Sequence, residues 1–528
     1  MAEEQKYLNN RYMGESLDAY APGGFHPIYL GDVFKNRYIV FRKLGTGSQS
    51  TVWLARDIDA PSRRFVAIKV LTAKSSPGVQ KLVASLQLLD HPGENYVELP
   101  LDSFALHGPN GDHVCMVLEP LGNTLIELVD EAYNVRIERN ELSSGEPSPS
   151  LGDPWSVVFA KRVCWQMLQG LHFMHERRIA HRDIRPSNNC FALTYDLSAL
   201  SENEIQKSVW PDENIEDEKQ AQAESTGRSE RPDAESSGND SDSDDYSDDD
   251  DPPSQWEIDM KECKRRSAEQ WQACDRGDPN AEPHSDEWNK ANFYNSRDNI
   301  ELPQRKDGKP LGPDEIRYTV GPTPLTMRFD LERVTHPEQP FRIVLTDMGF
   351  ACPFEECEQR RGPTLSDYMP PEDLLRIPAT YKADIFSLGL WCWEVVMLRT
   401  LVEHQLQRDD PEYTKVRNRL LHSLAKRIGP IPAVLRAQWP DADKWVDAEG
   451  SPVDIHEQEE YDYGDDPYPQ GDIWQQAQER KPQNMSNEDM EAFVRLVLRM
   501  LQWQPELRPS TSELLQDVWF HDISGISK

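Results

Sequence analysis

The sequence predicts an α+β chain of two lobes, strands first and helices afterwards, with a long acidic segment inserted in the second lobe. Three observations carry this expectation. Early segments alternate apolar and polar residues and are rich in β-branched side chains. Later segments repeat apolar residues every three or four positions. Between Asp196 and Pro340 the composition turns acidic and poor in apolar clusters.

Taken in order, residues 1–37 read as an N-terminal extension. Residues 38–44, 50–56 and 64–71 read as three successive strands, and 114–118 as a further one, which together make a small lobe over 38–122. From 154 to 175 the pattern becomes helical, with Phe159, Val163, Met167, Leu171 and Met174 on one face. The larger lobe takes 123–195 and resumes over 341–528. There 343–346 reads as a strand, 384–398 as a buried helix apolar nearly all round, and 488–502 as an amphipathic helix. The insert, 196–340, holds 37 acidic and 17 basic side chains, so it supplies −20 of the chain's net charge of −35. It includes the run SDSDDYSDDDDPP over 241–253. Such a segment buries too little apolar surface to offset its ordering entropy and is expected to be mostly disordered. Short ordered pieces are expected around 256–271 and 316–329.

With 92 acidic and 57 basic side chains, the chain as a whole repels phosphate. This argues against direct nucleic-acid or anionic-membrane binding and permits a basic protein partner. The longest nearly apolar run, 385–398, contains Ser387 and Glu394 and is too short to span a bilayer. The amino terminus MAEEQKYLNNRY has no apolar core of the secretory type. Eight cysteines without a CxxC pair predict reduced thiols inside a cell, in cytoplasm, nucleus or both. A monomer is expected. His107, His113, His172 and His175 form no convincing metal set, and Cys352 and Cys357 are assigned structural roles.

Four short motifs carry chemistry. Leu44-Gly-Thr-Gly-Ser-Gln-Ser-Thr-Val52 links the first strand pair. Without Cβ atoms at Gly45 and Gly47, its amides could close over phosphates; a plain hairpin turn is the alternative. Val66-Ala-Ile-Lys69 places a lysine in a largely apolar strand, where a buried ammonium needs an anion; an exposed edge lysine is the alternative. His181-Arg-Asp-Ile-Arg-Pro-Ser-Asn188 follows the helix and offers a proton acceptor and a metal ligand from one loop. Asp347-Met-Gly349 puts a carboxylate beside a glycine at a strand end, where it can hold Mg²⁺ against phosphates.

In this order the four motifs resemble the protein kinase superfamily, over roughly 38–520 with the insert as an interruption. The resemblance implies a bilobal kinase fold and transfer of the γ-phosphoryl group of ATP to a protein serine or threonine. It implies Asp183, Lys69 and Arg185 as catalytic residues and Asn188 and Asp347 as Mg²⁺ ligands. Leu44, Gly45, Gly47, Val52, Ala67, Lys69, Glu119 and Leu121 would hold the nucleotide. It further implies that Glu372 pairs with Arg508 and that Asp384 caps the loop carrying Asp183. Arg185-Pro186, in place of the usual lysine and proline, favours serine/threonine over tyrosine specificity. A narrower resemblance is to the serine/arginine-rich protein kinases. It rests on Gly23-Gly-Phe-His-Pro-Ile-Tyr-Leu-Gly-Asp32, Ser50-Thr-Val-Trp-Leu-Ala55, Cys115-Met-Val-Leu-Glu-Pro-Leu-Gly122 and a long spacer inside the domain. It implies a basic, arginine-rich protein substrate.

Departures from the pattern open a second reading. The segment 77–89, where kinases carry the glutamate that pairs with the strand lysine, has no acid, and Ser85 takes the glutamate position. Lys69 then lacks its usual orienting partner, which admits a pseudokinase scaffold that keeps the fold with little or no phosphotransfer. Met348 and Arg185 are milder departures. For substrate choice, acidic clusters at 409–412 and 457–466 and the trio Glu355, Glu356 and Glu358 read as an arginine-docking track or as ordinary solvated surface. Ser241, Ser243 and Ser247, each followed by acids, are candidates for acid-directed phosphorylation.

Overall fold

The computed structural model of the 528-residue chain describes residues 6–7, 14–62, 64–76, 92–142, 155–200, 205, 300–301, 303–309, 311, 315–316, 319–322, 325, 340–360, 362, 366–402, 413–453, 471–521 and 523. Two compact units divide it. The first is Met1–Thr72 with Leu106–His113 and Tyr195–Leu325; the second is Ala73–Ala105 with Val114–Thr194 and Thr326–Lys528.

The first unit is built on antiparallel strands β1 (Val33–Phe34), β2 (Tyr38–Thr46), β3 (Ser50–Asp57) and β4 (Arg64–Leu71), side by side in chain order. The last three are the strands the alternation predicted, each within two residues of its expected end. β3 and β4 pair without interruption from Ser50↔Leu71 to Asp57↔Arg64. β2 is less regular. Against β3 it shifts register between Val40 and Arg42 and again between Lys43 and Gly45. Bulges re-aim side chains, and these two bracket Arg42 and Lys43, both buried. Phe41 and Phe65 meet edge to face at 5.8 Å, and Arg37 grips Asp57 with two bonds of 2.7 and 2.8 Å.

The N-terminal extension belongs to this unit and buries Leu17, Phe25, Ile28 and Leu30. So does the tip, Leu106–His113, of strands β5 (Asp102–Gly108) and β6 (Gly111–Leu118). A Cβ at Gly108 would lie 2.2 Å from the His26 ring, so only glycine admits the extension there.

Parts of the acidic insert are also ordered in this unit. Ile205 is buried and its carbonyl accepts from Arg42 at 2.6 Å. Further on, Ile300–Glu301 pairs antiparallel with Thr319–Val320, and Tyr7 bridges to Arg305. Tyr7, Leu17 and Ile316 form a small cluster with Tyr20, Tyr29 and Leu311 packed against it. The ordered piece expected at 316–329 is described in part; the one at 256–271 lies outside the described residues.

The second unit holds most of the helix. β7 (Leu121–Thr124) leads into α1 (Leu125–Leu142), then α2 (Val157–Glu176), β8 (Ile179–Ala180) and β9 (Asn189–Ala192). β10 (Ile343–Leu345) and β11 (Cys352–Pro353) follow, then α3 (Pro371–Leu375), α4 (Ala383–Met397), α5 (Tyr413–Ile428), α6 (Ile473–Arg480) and α7 (Asn487–Met500). β9 sits between β10 and β7 in a three-stranded sheet, and β11 pairs with β8. Every residue of α4 is buried, as its all-round apolar sequence requires. α2 starts at Ser156, whose side chain accepts from the Phe159 amide, and α7 at Ser486, which accepts from the Asp489 amide. No helix among the described residues is long and apolar enough to cross a membrane.

Candidate active site

In the second unit the chemistry-bearing loop is held from three sides. Behind it, α2 ends at Glu176 and the chain turns at Arg178, with φ of 58°, into β8. Pairing of β8 with β11 fixes where the loop begins, with Ala180 opposite Cys352. Below it stands Asp384 in the first turn of α4, where the helix N-terminus favours an anion. Its carboxylate accepts from the backbone amides of His181 at 2.8 Å and Arg182 at 2.7 Å, and meets His175 Nε2 at 3.0 Å. Burial pushes this carboxyl up, but His175, His181 and the Arg182 amide together hold it below its usual range. The capping role expected of Asp384 is thus met.

On the third side the loop is tied to the end of β10. His181 Nε2 lies 2.9 Å from the Thr346 carbonyl, and the Thr346 amide donates to the Asn188 carbonyl at 2.8 Å. The Asp183 amide donates to His181 Nδ1 at 3.2 Å, which leaves Nε2 as the protonated nitrogen. Arg182 has φ of 69° and Asp347 φ of 59°, a left-handed backbone that non-glycine residues seldom adopt. Arg182 directly precedes Asp183, and Asp347 follows the end of β10. Arg182 reaches Asp373 at 2.9 and 3.2 Å, and burial pushes the Asp373 carboxyl up to about 6 despite that arginine.

Asp183, Asn188, Arg185 and Asp347 come together at this loop. Asn188 Nδ2 donates to the Asp183 carbonyl at 2.9 Å and to its Oδ2 at 2.8 Å. Arg185 Nε stands 3.4 Å from Asp183 Oδ1. Burial, with the charge of Asp347 adding to it, raises the Asp183 carboxyl above its ordinary value; Arg185, His181 and Asn188 oppose this. The result is a buried carboxylate made more basic, with an amide and a second carboxylate beside it. With Nδ2 spent on Asp183, Asn188 offers only Oδ1 to a cation. Asp347 and Asn188 are oxygen donors, which suit a hard divalent cation such as Mg²⁺. Among the described residues no group of three or more His, Cys, Asp or Glu forms a metal set on its own. A Mg²⁺ at Asn188 and Asp347 therefore fits if phosphate oxygens complete its shell.

Glu119 and Leu121 also belong to this unit. The Glu119 side chain pairs with Arg342, and Leu121 opens β7 opposite Ala192. Glu372 and Arg508 form the expected pair, with bonds of 2.6 and 2.8 Å and both side chains fully buried. Cys352 and Cys357 lie buried with sulfurs 3.6 Å apart, packed by Phe354 and Tyr381.

The remaining expected residues lie in the first unit. Gly45 is opposite Val52 across the β2–β3 hairpin, and the Gly47 amide donates to the Ser50 carbonyl at 2.9 Å. A Cβ at Gly45 would meet nothing within 4 Å, and one at Gly47 only the Ser50 carbonyl at 3.9 Å. Neither glycine has a positive φ. Packing and backbone conformation therefore do not demand glycine here, while open space at both positions leaves room for a close-lying ligand. Lys69 is buried on β4 directly opposite Val52, and Ala67 is buried opposite Leu54. Leu44 is half-buried at the end of β2. Ser85 and the helix expected around it lie outside the described residues.

Sequence reasoning missed His175 as a partner of Asp384 and Thr346 as the carbonyl that orients His181. The position of His175, at the end of the helix just before the loop, was the available signal. It also missed Glu15, for which no local signal exists.

These features define a protein kinase domain: the family model described as "Protein kinase domain" matches residues 38–194 and 334–520. The match covers well over half of the chain, and the chain belongs to that family. Among curated relatives it is similar to SRSF protein kinase 3 of Homo sapiens, at 39% identity over 178 residues, 32% of this chain and 28% of the relative. It is similar to protein kinase dsk1 of Schizosaccharomyces pombe, at 35% over 191 residues, 34% of this chain and 31% of the relative. A third relative is serine/threonine-protein kinase SKY1 of Saccharomyces cerevisiae, at 37% over 186 residues, 33% of this chain and 22% of the relative. Each match spans less than a third of the relative's own length.

Proposed function

We propose that the chain is an ATP-dependent protein serine/threonine kinase that phosphorylates serines within arginine-rich segments. The observation that carries the reading is the buried Asp183, hydrogen-bonded by Asn188, flanked by Asp347 and aligned through backbone amides by Asp384. A carboxylate whose basicity is raised by burial suits the acceptance of a hydroxyl proton. Asp183 orients the substrate hydroxyl and takes its proton as the oxygen attacks the γ-phosphorus and the bond from that phosphorus to the β,γ-bridging oxygen breaks, leaving ADP. Arg185 balances charge beside it.

The first unit contributes the phosphate-holding residues: Lys69 and the amides around Gly45 and Gly47. Leu44, Val52 and Ala67 offer apolar contact to an adenine ring, and the backbone from Glu119 to Leu121 offers hydrogen bonds to its edge. Mg²⁺, held by Asn188 and Asp347, would supply charge neutralisation on the transferring phosphates.

Arginine-rich substrate choice is supported by the net charge of −35 and by one relative's name as a kinase of SRSF proteins. Within the described residues, Glu355 already pairs with Arg178, and Glu356 with Arg360, while Glu358 is exposed. The clusters at 409–412 and 457–466 lie outside the described residues. Six described cysteines are free thiols, which suits a reducing compartment, cytoplasm or nucleus.

The test is phosphate transfer from Mg-ATP to a serine peptide flanked by arginines, beside the same peptide with lysines. Wild type is expected to prefer arginine, with KM rising as salt is added. Asp183→Ala and Asp347→Ala are expected to lose at least about 100-fold in kcat. Equal residual rates in wild type and both variants would overturn the kinase reading. Mg-ATP binding without transfer by wild type would instead establish the pseudokinase reading opened by Ser85.

A further inference from the structure

Phosphotransfer as proposed leaves the buried carboxylate of Glu15, in the first unit, without a task. The Glu15 side chain is 2% exposed and that of Lys43 1% exposed. Lys43 Nζ lies 2.6 Å from each carboxylate oxygen of Glu15. Thr46 Oγ1 donates to Glu15 Oε2 at 2.7 Å, and the Tyr20 hydroxyl donates to Oε1. Burial raises the Glu15 carboxyl, yet Lys43, Tyr20 and Thr46 outweigh it and keep the group below its ordinary value.

A buried ion pair is weak as a stability device, since well-packed apolar residues often do as well. What this one touches is more telling. Lys43 lies at the start of the second β2 bulge and Thr46 at the end of the strand. Glu15 therefore holds β2 on both sides of Gly45. Thr46 is the single residue between Gly45 and Gly47, so its side chain is the one handle on a stretch otherwise free of Cβ atoms. Glu15 is itself backed by Tyr20, whose ring packs against the cluster of Tyr7, Leu17 and Ile316. Ile316 belongs to the returning limb of the insert.

We propose that Glu15 is a positioning residue for the 44–52 loop: through Thr46 and Lys43 it holds the loop in the form that receives the phosphates of ATP, and Tyr20 links it to the insert's returning limb. The inference rests on the reading of that loop as phosphate-holding.

The experiment uses the full chain and measures affinity for Mg²⁺ with a non-hydrolysable ATP analogue, beside affinity for adenosine, which has no phosphates. Glu15→Gln and Thr46→Val are compared with wild type, along with KM and kcat for Mg-ATP. Both variants are expected to bind the analogue roughly tenfold more weakly, the order expected for loss of a charge-assisted hydrogen bond. Adenosine affinity should stay within about twofold, because only phosphate contacts are disturbed. Thr46→Val keeps the ion pair, so it decides the matter if Glu15→Gln fails to fold. Unchanged analogue affinity, or equal loss for analogue and adenosine, would overturn the inference alone. Failure of wild type to bind the analogue would overturn the function reading and this inference with it.

Discussion

Two buried ion pairs, one in each unit, look alike and act differently. In the second unit Arg508 grips Glu372 with two bonds and also donates to the carbonyls of Lys382, Gln502 and Trp503. Its guanidinium joins α3 to the chain entering α4 and to the segment after α7, elements distant in sequence. In the first unit Lys43 offers a compact ammonium to Glu15, whose remaining capacity goes to the hydroxyls of Tyr20 and Thr46. The first pair fastens backbone to backbone; the second fastens side chains around one loop. The contrast teaches that burial and charge alone do not reveal a pair's role, and that the atoms completing its hydrogen bonds do.

The largest expected effect follows from this contrast. Arg508→Ala should cost about 3–5 kcal/mol, because it leaves Glu372 charged and buried and frees three carbonyls. Arg508→Lys should also destabilise, since an ammonium cannot reproduce the planar fork. Glu15→Gln should cost less stability while acting on nucleotide affinity. Thermal midpoints and chemical denaturation of the three variants check the order. Equal losses for Arg508→Ala and Glu15→Gln would erase the distinction drawn between the pairs.

A smaller effect is expected from the insert. Removing 206–299 keeps Ile205, whose carbonyl accepts from Arg42, and the hairpin strands that return through Ile316. Stability should change by about 1 kcal/mol or less, because closure entropy varies slowly with loop length. Extending the deletion to 325 strips Ile316 and Leu311 from the Tyr20 cluster. Burial of one isoleucine is worth about 1.5–3 kcal/mol. The longer deletion should therefore lower the midpoint and raise KM for Mg-ATP, as Glu15→Gln does. A longer deletion that leaves KM unmoved would detach the insert from the Glu15 arrangement.

The difference between the units also marks what could be read from sequence. The burial of Lys69 on β4, the meeting of Asp183, Asn188 and Asp347 at one loop, the capping by Asp384 and the Glu372–Arg508 pair were legible because each residue falls at a fixed place in a motif whose spacing follows the fold. The strands 38–46, 50–57 and 64–71 were legible from alternation, and α4 from its unbroken apolar run. Glu15 was not, because it lies in a segment without periodicity and finds Lys43 only through two bulges that alternation cannot foresee. The anchoring of Ile205 was hidden for a related reason, and at Ile316 order was expected but not the Tyr7 and Leu17 cluster that it joins. Single apolar residues in an acidic, apolar-poor stretch carry no pattern, and their burial depends on surfaces that other segments provide.

The smallest expected effect is a response to mild acid that should separate the units. The carboxylate anchors Asp384 and Glu15 have lowered pKa values, so what they contribute is present above the ordinary carboxylate range and is lost only as pH falls through it. His26 in the first unit behaves otherwise. Its ring faces that of His113 at 5.0 Å, edge to face, and the His113 Nδ1 is occupied by the Leu71 carbonyl at 2.8 Å. His26 Nδ1 is buried without a hydrogen-bond partner. Burial first, and His113 second, bring the His26 pKa down to about 4 from its ordinary value of 6.5. The neutral ring is therefore the folded form. Its contribution is intact above pH 6.5 and is lost progressively as pH falls toward 4, because the unfolded chain takes up the proton first. By pH 6 the loss should be about 1 kcal/mol, well before the carboxylate anchors respond. Protonation of Asp373, whose carboxyl sits up at about 6, adds stability to both proteins as pH falls from 8 to 5, so the thermal midpoint of wild type should fall relative to that of His26→Phe, whose ring does not titrate. Parallel curves for the two proteins across that range would place the acid sensitivity elsewhere.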